Sequence, residues 1–405
     1  MINPILIAGP GFVALIGAEY LYGRIRGRNT YRLNDALNAL AMGTMSQLMP
    51  LLVSLGVYAL VLRLVPWRWP TDHVWVWIVA LLFYDLCYYW FHRISHERSL
   101  FWASHVAHHQ SERYNLSTAL RQTSTGFLGF VFYLPMALAG VPLEMFAVVG
   151  LIDLYYQYWI HTEHVGKLGW FDRVFASPSN HRVHHAVNDR YVDKNYGGLL
   201  IVWDRLFGTF VEEHDEDPTV FGTRAPLRSW NPLWANAEVY AAMLGDAWRA
   251  RRWRDKAYIL IARTGWRPAD VAERWPKPAF DIRRAEYDPP LSRAVGGYCL
   301  VQSLVLIGLA LYLLTIAASL GTGARWAAVA CLFAGFTSLG WLMEGRRFAP
   351  WLELVRLAAS GLVAFWWLPE PRVVLGICVA SAIGWIITWR LPSTPSDAAS
   401  ENAAS

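Results

Sequence analysis

Histidine is concentrated in one part of this chain, where its spacing favours metal binding. Ten of the twelve histidines fall between His92 and His185, in the blocks HRISH at 92–96, HVAHH at 105–109, HTEH at 161–164 and HRVHH at 181–185. Residues three and four apart lie on one face of a helix, so each block can direct two or three imidazoles at one point. Neutral imidazole is the commonest metal ligand in proteins. The pattern therefore predicts a metal site, whereas a single histidine would more often be an ordinary core residue.

Nine of these histidines are the candidate metal ligands: His92, His96, His105, His108, His109, His161, His181, His184 and His185. A first-row metal ion takes about four to six ligands, so this number favours two ions held close together. A structural zinc ion would need only about four of them. The spacing does not distinguish iron, zinc, copper and nickel, all of which accept imidazole. His73 and His214 lie outside the blocks and are interpreted as non-ligands.

Three carboxylates lie where they could support such a site. Asp85 precedes the first block by seven residues and Asp153 precedes the third block by eight, so each can share the histidine face of its helix. One interpretation is that they orient ligand imidazoles through the second ring nitrogen. The alternative is a hydrogen bond to a neighbouring tyrosine. Glu97 directly follows the first block and is the candidate catalytic residue, for proton handling, unless it is an ordinary solvated glutamate.

The composition is that of a membrane protein. Hydrophobic residues make up 55% of the 405 residues, charged residues make up 17%, and there are 22 tryptophans. This profile is typical of multi-span proteins with aromatic belts at the membrane surface. A helix needs about 20 apolar residues to cross a bilayer. Eight apolar stretches predict about nine crossings, because the stretch 127–160 is long enough for two: 5–22, 37–65, 74–91, 127–160, 294–320, 326–343, 349–368 and 373–389.

These patterns predict an all-α fold, a polytopic membrane protein with about nine transmembrane helices and a cytoplasmic, histidine-rich helical cap. The predicted segments are membrane helices with the first two histidine blocks at 1–160, the cap at 161–290, a C-terminal transmembrane unit at 291–390 and a disordered tail at 391–405. Arginines are frequent at 24–32 and 249–254, and the positive-inside tendency then places the histidine blocks on the cytoplasmic side. The expected location is a bacterial inner membrane.

Cysteine usage and net charge narrow the function classes. The four cysteines lie inside predicted spans and are far apart in sequence, which argues against disulfides and zinc ribbons. The net charge of +5 fits basic loops beside anionic lipid headgroups better than nucleic-acid binding, so we expect no nucleic-acid partner. A membrane metal transporter is an alternative class. Transport sites typically lie near the bilayer midplane, however, and these histidines lie at predicted helix ends.

Two further patterns concern packing. Mixed apolar and basic faces predict helices at 231–254 and 259–274, which either lie on the membrane surface or pack against the core. In the C-terminal unit, Glu353 and Arg356 are three residues apart and are expected to pair. No chemistry is assigned to that unit, which either shapes a path for a lipid or completes the fold.

The histidine blocks resemble the motifs of the fatty acid hydroxylase and sterol desaturase superfamily. These integral membrane enzymes hold a dimetal centre with the motifs H-x3-H, H-x2-H-H and a second H-x2-H-H, which correspond here to 92–96, 105–109 and 181–185. Within the superfamily, two longer runs look like the alkylglycerol monooxygenases: HRISHERSLFWASHVAHHQSERYNLSTALRQ at 92–122 and SPSNHRVHHAVNDRYVDKNYGGLLIVWDRLFGTF at 177–210.

The resemblance implies a centre of two iron ions (Fe²⁺), the use of O₂ and hydroxylation of an alkyl or acyl chain of a membrane lipid. For the alkylglycerol monooxygenases it implies cleavage of an alkylglycerol ether, with electrons from a soluble donor that is either tetrahydrobiopterin or another reductant. The alternatives are a desaturase or a hydroxylase of another lipid, such as a sterol or an ornithine-type lipid. Neither the substrate lipid nor the oligomeric state follows from the sequence.

One departure from the superfamily pattern concerns the third block. Fatty acid hydroxylases have a further H-x3-H there, whereas this chain has Gln157 four residues before His161, with His164 on the next turn. The resemblance therefore gives His161 a ligand role and leaves Gln157 and His164 open. Six residues also match the alkylglycerol monooxygenase pattern and either contact a headgroup or cofactor or form loop structure: Arg121, Gln122, Asp193, Lys194, Asn195 and Tyr196.

Overall fold

The computed structural model describes residues 4–51 and 56–390, so the predicted tail at 391–405 lies outside the described residues. Within them the fold is all-helical, with three isolated β-bridges and no strand. This confirms the predicted all-α class. The division at residues 160 and 290 stays a prediction.

Nineteen α-helices are described, many of them shorter than two turns. They are α1 (Pro4–Ile25), α2 (Leu33–Leu48), α3 (Val57–Arg63), α4 (Val74–Glu97), α5 (Ser99–Ala103), α6 (Val106–His109), α7 (Leu116–Ala119), α8 (Leu134–Leu138), α9 (Leu143–Trp159), α10 (Phe171–Val174), α11 (Pro178–His185), α12 (Val202–Phe207), α13 (Pro232–Arg249), α14 (Trp253–Tyr258), α15 (Ala269–Arg274), α16 (Arg293–Ile316), α17 (Thr322–Met343), α18 (Ala349–Trp367) and α19 (Pro371–Arg390). Short 3₁₀ helices occupy Met49–Leu51, Gly126–Tyr133 and Ala317–Ser319.

Within residues 4–51 and 56–390, four helical segments are long and apolar enough to cross a membrane: Val74–Glu97, Arg293–Ser319, Thr322–Met343 and Pro371–Trp389. They identify a membrane protein, but the count of nine crossings is not confirmed. The stretch 37–65 is broken at Pro50, which lies in a 3₁₀ turn. The stretch 127–160 forms a 3₁₀ helix, the short α8 and the 17-residue α9. An α-helix of that length spans only about 26 Å, less than the roughly 30 Å of a bilayer core.

Helix α4 is the central element of the histidine-bearing half. It packs against α9, α5, α8 and the 3₁₀ helix at 126–133. Its N-terminal part shares an apolar core with α3, α8 and α9 that includes Val76, Ala80, Met136 and Met145. Because α4 and α9 pack side by side, their C-terminal ends bring the first and third histidine blocks close together.

The predicted surface helices form only in part. Helix α13 begins after Asn231, whose side chain accepts from two backbone N–H groups, and it contacts α2, α5 and α17. The chain then leaves the helical path, and α14 follows. Of the predicted helix at 259–274 only α15 forms, because Gly265 has a positive φ of 82° and Pro268 cannot continue a helix from the preceding turn. Trp248 and Trp253 are 87% and 83% exposed, so this face is not covered by the described chain.

Helices α16 to α19 form the C-terminal unit, and α2 packs against it. The largest apolar core combines Leu37 and Met45 of α2 with Leu306 of α16 and Phe336 of α17. The predicted Glu353–Arg356 pair is confirmed, since Nε of the arginine donates to the carboxylate at 2.8 Å. Both side chains are buried inside the unit.

Candidate metal centre

All nine candidate histidines converge in two neighbouring groups. The five-histidine group consists of His92, His96, His105, His109 and His184, and the four-histidine group consists of His108, His161, His181 and His185. Within each group the candidate ligand atoms lie within 4.8 Å of one another. The two groups touch, because the rings of His109 and His185 stack with their centroids 4.3 Å apart.

Each H-x2-H-H block contributes to both groups. In the block 105–109, the first and last histidines belong to the five-histidine group and His108 belongs to the four-histidine group. In the block 181–185 the assignment is reversed, and only His184 belongs to the five-histidine group. In each block the first and last histidines are four residues apart and share one helix face, whereas the histidine between them points in another direction. Two short helical turns therefore hold the groups side by side.

Local sequence explains why the last block is helical. Ser177 accepts a hydrogen bond from the backbone N–H of Asn180, and Pro178 occupies the first helical position. Both are favoured at a helix N-terminus, where N–H groups lack intrahelical partners. The resulting helix, α11, is eight residues long and buried along its whole length. Its C-terminal turn carries the three histidines of the block.

The distances between ring nitrogens fit ligands of a common ion. In the five-histidine group, Nε2 of His105 lies 3.1 Å from Nε2 of both His92 and His109. In the four-histidine group, Nε2 of His161 lies 3.3 Å from that of His108 and 3.0 Å from that of His181. Metal–nitrogen bonds of about 2.0–2.1 Å place neighbouring ligand atoms about 2.9–3.4 Å apart.

Hydrogen bonds to backbone carbonyls fix the tautomer of four imidazoles. Nδ1 of His108 donates to the carbonyl of Arg121 at 3.0 Å, and Nδ1 of His161 donates to that of Gln157 at 2.7 Å. His92 and His184 donate in the same way to the carbonyls of Tyr196 and Lys194: the distances are 2.8 and 3.0 Å. A neutral imidazole that donates through Nδ1 has a lone pair on Nε2.

This tautomer leaves facing lone pairs that need a cation. His108 and His161 both donate through Nδ1, yet their Nε2 atoms are 3.3 Å apart and cannot hydrogen-bond to each other while both rings are neutral. Nε2 of His96 and Nε2 of His184 are buried without any partner among the described residues. Unpartnered buried polar atoms are rare and call for an explanation. A metal ion in each group would provide the missing partner.

Burial keeps the imidazoles neutral, as metal ligation requires. It lowers the pKa of His108 to about 4, and it lowers the pKa of the other ligand candidates outside α4 well below the ordinary histidine value, with neighbouring imidazoles adding to the effect. These are His105, His109, His161, His181, His184 and His185. Together, the donor type, spacing and protonation state fit two divalent first-row ions.

The loop at 193–197 supplies backbone carbonyls to the histidines. The backbone of Asp193 and Asn195 is left-handed, with φ of 58° and 55°, and the Asn195 side chain holds the carbonyls of Asn180 and Val211. The buried Asp204 carboxylate, which the sequence analysis missed, accepts from the N–H groups of Tyr196 and Gly197. The contacts of Asn195 and Tyr196 support the loop-structure interpretation of the 193–196 match. The signal in the sequence was the pair Asp193 and Asn195, since both residue types tolerate a left-handed backbone.

Arg121 has a structural position rather than one on the membrane surface. Its side chain is 1% exposed, its Nε donates to the carbonyl of Ala107 at 2.8 Å, and its Nη1 lies 3.7 Å from Asp35. The ion pair and the hydrogen bond fix the segment whose carbonyl orients His108. Gln122 donates to the backbone of Ala119. For both residues the structure thus favours loop structure over a headgroup contact.

In the described part of the chain, Asp85 and Asp153 form no hydrogen bond to an imidazole or to a tyrosine. The Asp85 carboxylate accepts from the N–H groups of Leu199 and Leu200 and from the Trp203 indole. It therefore anchors the chain that follows the 193–197 loop to α4. Asp153 accepts from the Gln157 side chain at 2.7 Å. Both carboxylates lie near the site, as the shared helix faces predicted, but the partners of Asp85 are loop N–H groups and an indole, and the partner of Asp153 is a glutamine side chain.

The remaining candidates lie outside both groups. The Glu97 carboxylate is about one-third exposed and accepts from Arg93 at 2.9 Å, so a catalytic role for it stays a prediction. The Gln157 amide bonds to Tyr88 and Asp153. His164 packs against the ring of Tyr22. His73 and His214, the predicted non-ligands, are also absent from both groups.

The similarity of this chain to known proteins includes the segment that carries the nine histidines. A family model described as fatty acid hydroxylase matches residues 77–209, which include all nine histidines. The alkylglycerol monooxygenase of Danio rerio is 36% identical over 366 residues, covering 86% of this chain and 79% of that protein. The chain belongs to the alkylglycerol monooxygenase family. The human family member is 33% identical over 86% of this chain and 80% of its own length.

Membership of this family confirms the predicted superfamily and makes the protein an oxidoreductase. A more distant relative, an ornithine lipid hydroxylase of Rhizobium tropici, is 30% identical over 141 residues, 33% of this chain and 41% of that protein. No solved structure matches the chain. The alkylglycerol monooxygenases, in contrast, match over both the histidine-bearing half and most of the rest of the chain.

Proposed function

We propose that this protein is a non-haem diiron monooxygenase that hydroxylates the alkyl chain of a membrane ether lipid, next to the ether oxygen, and so cleaves an alkylglycerol. The observation that carries the proposal is the pair of facing Nε2 lone pairs on His108 and His161, 3.3 Å apart, with seven more imidazoles gathered around them. The names of the similar proteins support the choice of ether lipid. Family membership supports hydroxylation over metal transport.

The two irons, when bound, would supply O₂ activation and C–H hydroxylation, with one oxygen atom inserted and the other released as water by two electrons and two protons from a reductant. The chain's own part is positional. Backbone carbonyls hold four of the imidazoles with Nε2 directed inward, and orienting partners of this kind strengthen metal binding. The donor of the electrons is proposed to be soluble, with tetrahydrobiopterin as one candidate.

The position of the histidine groups suits a lipid substrate. His92 and His96 occupy the last two turns of α4, a candidate membrane span. We therefore propose that the lipid chain reaches the site from the apolar layer, on the side of α4. The loop at 193–197 lies on the other side of His92. The Tyr196 carbonyl in this loop accepts from the His92 ring, and the Asp204 carboxylate accepts from the N–H of Tyr196.

The histidine groups are proposed to face the cytoplasm of a bacterium, from the inner membrane. Support comes from basic residues on their side of the membrane helices. Arg28, which follows α1, pairs with Glu163 of the third block at 3.3 Å. Arg346 and Arg347 lie in the loop between α17 and α18. This loop begins with Glu344, which accepts a hydrogen bond from the backbone N–H of Trp230. Such an excess of arginine is typical of the cytoplasmic side.

The experiment uses protein purified without oxygen and loaded with Fe²⁺. Iron per chain is measured first, and two are expected. Hexadecylglycerol, tetrahydrobiopterin and O₂ are then added, and the expected product is hexadecanal with loss of the ether. Protein with two irons and a strong reductant that leaves hexadecylglycerol intact would contradict the ether substrate. A chain that binds no iron would contradict the whole proposal.

The second candidate is hydroxylation or desaturation of another lipid. Two matches that cover about a third of the chain support it: the ornithine lipid hydroxylase, and a sterol 5(6)-desaturase that is 28% identical over 138 residues. Comparison of the lipids of a deletion strain with those of the wild type separates the two. Accumulation of ether lipids supports the first proposal, and accumulation of an unhydroxylated ornithine lipid or a saturated sterol supports the second.

A further inference from the structure

Helix α13 has an apolar face that the described chain leaves uncovered. The exposed residues Trp234, Ala237, Ala241, Leu244 and Trp248 follow one another at intervals of three or four residues, so they form one stripe along the helix. Leu244 and Trp248 are 68% and 87% exposed. An exposed apolar surface of this kind marks a contact with another protein or with a membrane.

A basic run at 249–263 follows the stripe directly. It contains one acidic residue, Asp255, and six basic residues: Arg249, Arg251, Arg252, Arg254, Lys256 and Arg263. Asp255 pairs with Arg254. In the described part of the chain, Arg251, Arg252 and Arg263 are exposed and pair with no carboxylate. The basic run therefore offers uncompensated positive charge to a negatively charged surface.

Hydrogen bonds hold both ends of this segment beside the ends of two candidate membrane spans, α17 and α4. Before α13, the N–H of Trp230 donates at 2.6 Å to Glu344, which directly follows α17. After the basic run, the N–H of Thr264 donates at 3.2 Å to the carbonyl of Glu97, the last residue of α4. Between these points, α13 packs against α5, which follows α4. Because spans end at the membrane surface, the segment lies at the level of that surface.

The position, the tryptophans and the charge together favour a lipid surface as the partner. Tryptophan is enriched at membrane interfaces, and helices with an apolar face beside basic residues lie in the plane of anionic membranes. A second copy docked on the same face would bring two basic runs close together, which is unfavourable. We propose that the segment 234–263 lies in the bilayer surface. The stripe of α13 contacts the upper acyl chains, and the basic run binds the phosphates of anionic lipids.

The first measurement is the depth of α13 in full-length protein reconstituted into nanodiscs. A bimane is attached to a new cysteine made by Trp248→Cys or, separately, by Leu244→Cys; protein without a new cysteine gives the background. We expect quenching by lipids with a nitroxide on the upper acyl chain and little quenching by iodide in water. Asp215→Cys, at a side chain that is 92% exposed, is the control and should be quenched by iodide. Iodide quenching at both α13 positions equal to the control would overturn the proposal. Protection from both quenchers would mean a protein cover and would overturn it as well.

The second measurement is the preference of the basic run for anionic lipid. Phosphatidylcholine nanodiscs receive a small share of phosphatidylglycerol or phosphatidylcholine with a diazirine in the headgroup, and mass spectrometry locates the labelled peptides. We expect phosphatidylglycerol to label 249–263 at least about tenfold more, and the double variant Arg251→Gln, Arg252→Gln to lower this preference at least about fivefold. The control, Arg190→Gln with Arg224→Gln, removes two exposed arginines that pair with carboxylates and should retain it.

Equal labelling by the two lipids would overturn the proposal, as would a preference that the Arg251 and Arg252 variant retains in full. Neither measurement requires iron or turnover. The proposed reaction can therefore fail while the lipid-binding segment is confirmed, and the reverse result is equally distinguishable.

Discussion

The nitrogen that carries the proton decides whether an imidazole can hold a cation. In His108 and His161 the proton is held on Nδ1 by hydrogen bonds to the backbone carbonyls of Arg121 and Gln157. The sequence drew attention to these two residues through their side chains, not through their carbonyls. Backbone carbonyls carry no residue-type signal. The spacing of the histidines could therefore predict the ligands, but not the groups that orient them.

Single histidine substitutions test the assignment to two groups. His181→Ala removes a ligand from the four-histidine group and His184→Ala removes one from the five-histidine group. We expect each to lower iron content and to reduce turnover at least about 100-fold, because a lost ligand costs more than a lost orienting partner. Mass spectrometry of the metal and product analysis are the measurements. His214→Ala is the control, and a similar loss there would argue against a local site.

Nothing in the sequence indicated that Asp204 supports the metal site, through the loop whose Tyr196 carbonyl orients His92. Burial raises its pKa to about 6, and its carboxylate accepts from the N–H groups of Tyr196 and Gly197. Asp204→Asn keeps the shape but replaces one acceptor oxygen by a donor. We expect a loss of metal affinity of about 10–100-fold, as for other partners that orient ligands. Metal titration measures it, with the exposed Asp215→Asn as the control; equal affinities in the two variants would contradict the role.

At the scale of elements, short helices do more to build the site than long spans. The histidine pattern predicted that the blocks would converge, and helix α11 follows from its Ser-Pro start. The splitting of each H-x2-H-H block between two groups could not be predicted, because it depends on how α6 and α11 pack against α4 and α9. The count of nine crossings is not confirmed, because only four helical segments among the described residues are long and apolar enough to cross a membrane. Apolar runs such as 37–65 indicate burial, but Pro50 divides that run into shorter helices.

The N-cap of α11 gives a prediction at this scale. Ser177→Ala removes the oxygen that accepts from the N–H of Asn180, and we expect a loss of about 1 kcal/mol in unfolding free energy of the metal-free protein. Thermal or denaturant unfolding in detergent measures it. Ser177→Thr retains the hydroxyl and should recover most of the stability. An unaffected Ser177→Ala variant would mean that packing alone holds the helix.

At the scale of the whole molecule, a close contact between a loop and α17 adds to the packing of α2 against the C-terminal unit. Gly340 of α17 has no room for a side chain, because a Cβ there would lie 2.3 Å from the carbonyl of Trp230. Glu344, one turn on, accepts from Ser229 and from the N–H of Trp230 at 2.6 Å. The approach of helix to loop depends on glycine at this position.

Gly340→Ala should therefore separate the loop from α17 and lower the thermal midpoint by several degrees, because the carbonyl is backbone and cannot move alone. Gly308→Ala is the matched control: it lies within α16 with open space around its Cα, and alanine favours a helix by about 1 kcal/mol over glycine. Its midpoint should stay level or rise. Equal midpoints for the two variants would contradict the close contact.

The proposed orientation gives a prediction that needs no activity. Arg252 lies between α13 and α14 on the histidine side of the membrane, and Asp72 lies in the exposed loop before α4. A single new cysteine at Asp72 should react with an impermeant maleimide on intact cells, whereas one at Arg252 should react only after the membrane is opened. The native cysteines are buried or half-buried, which keeps the background low. The reverse labelling would place the histidines outside.

The chemical uniformity of the two groups has a consequence for how the protein must be handled. Among the described residues, neither group contains a carboxylate or thiolate. Nitrogen donors of this kind bind divalent ions in the order Fe²⁺ below Ni²⁺ and Cu²⁺, with Zn²⁺ also ahead of iron. For the proposed iron centre, discrimination in favour of iron would then come from which ion the cell offers while the chain folds. On this proposal, protein recovered from zinc-rich or copper-rich medium would hold the wrong metal and fold normally, yet be inert.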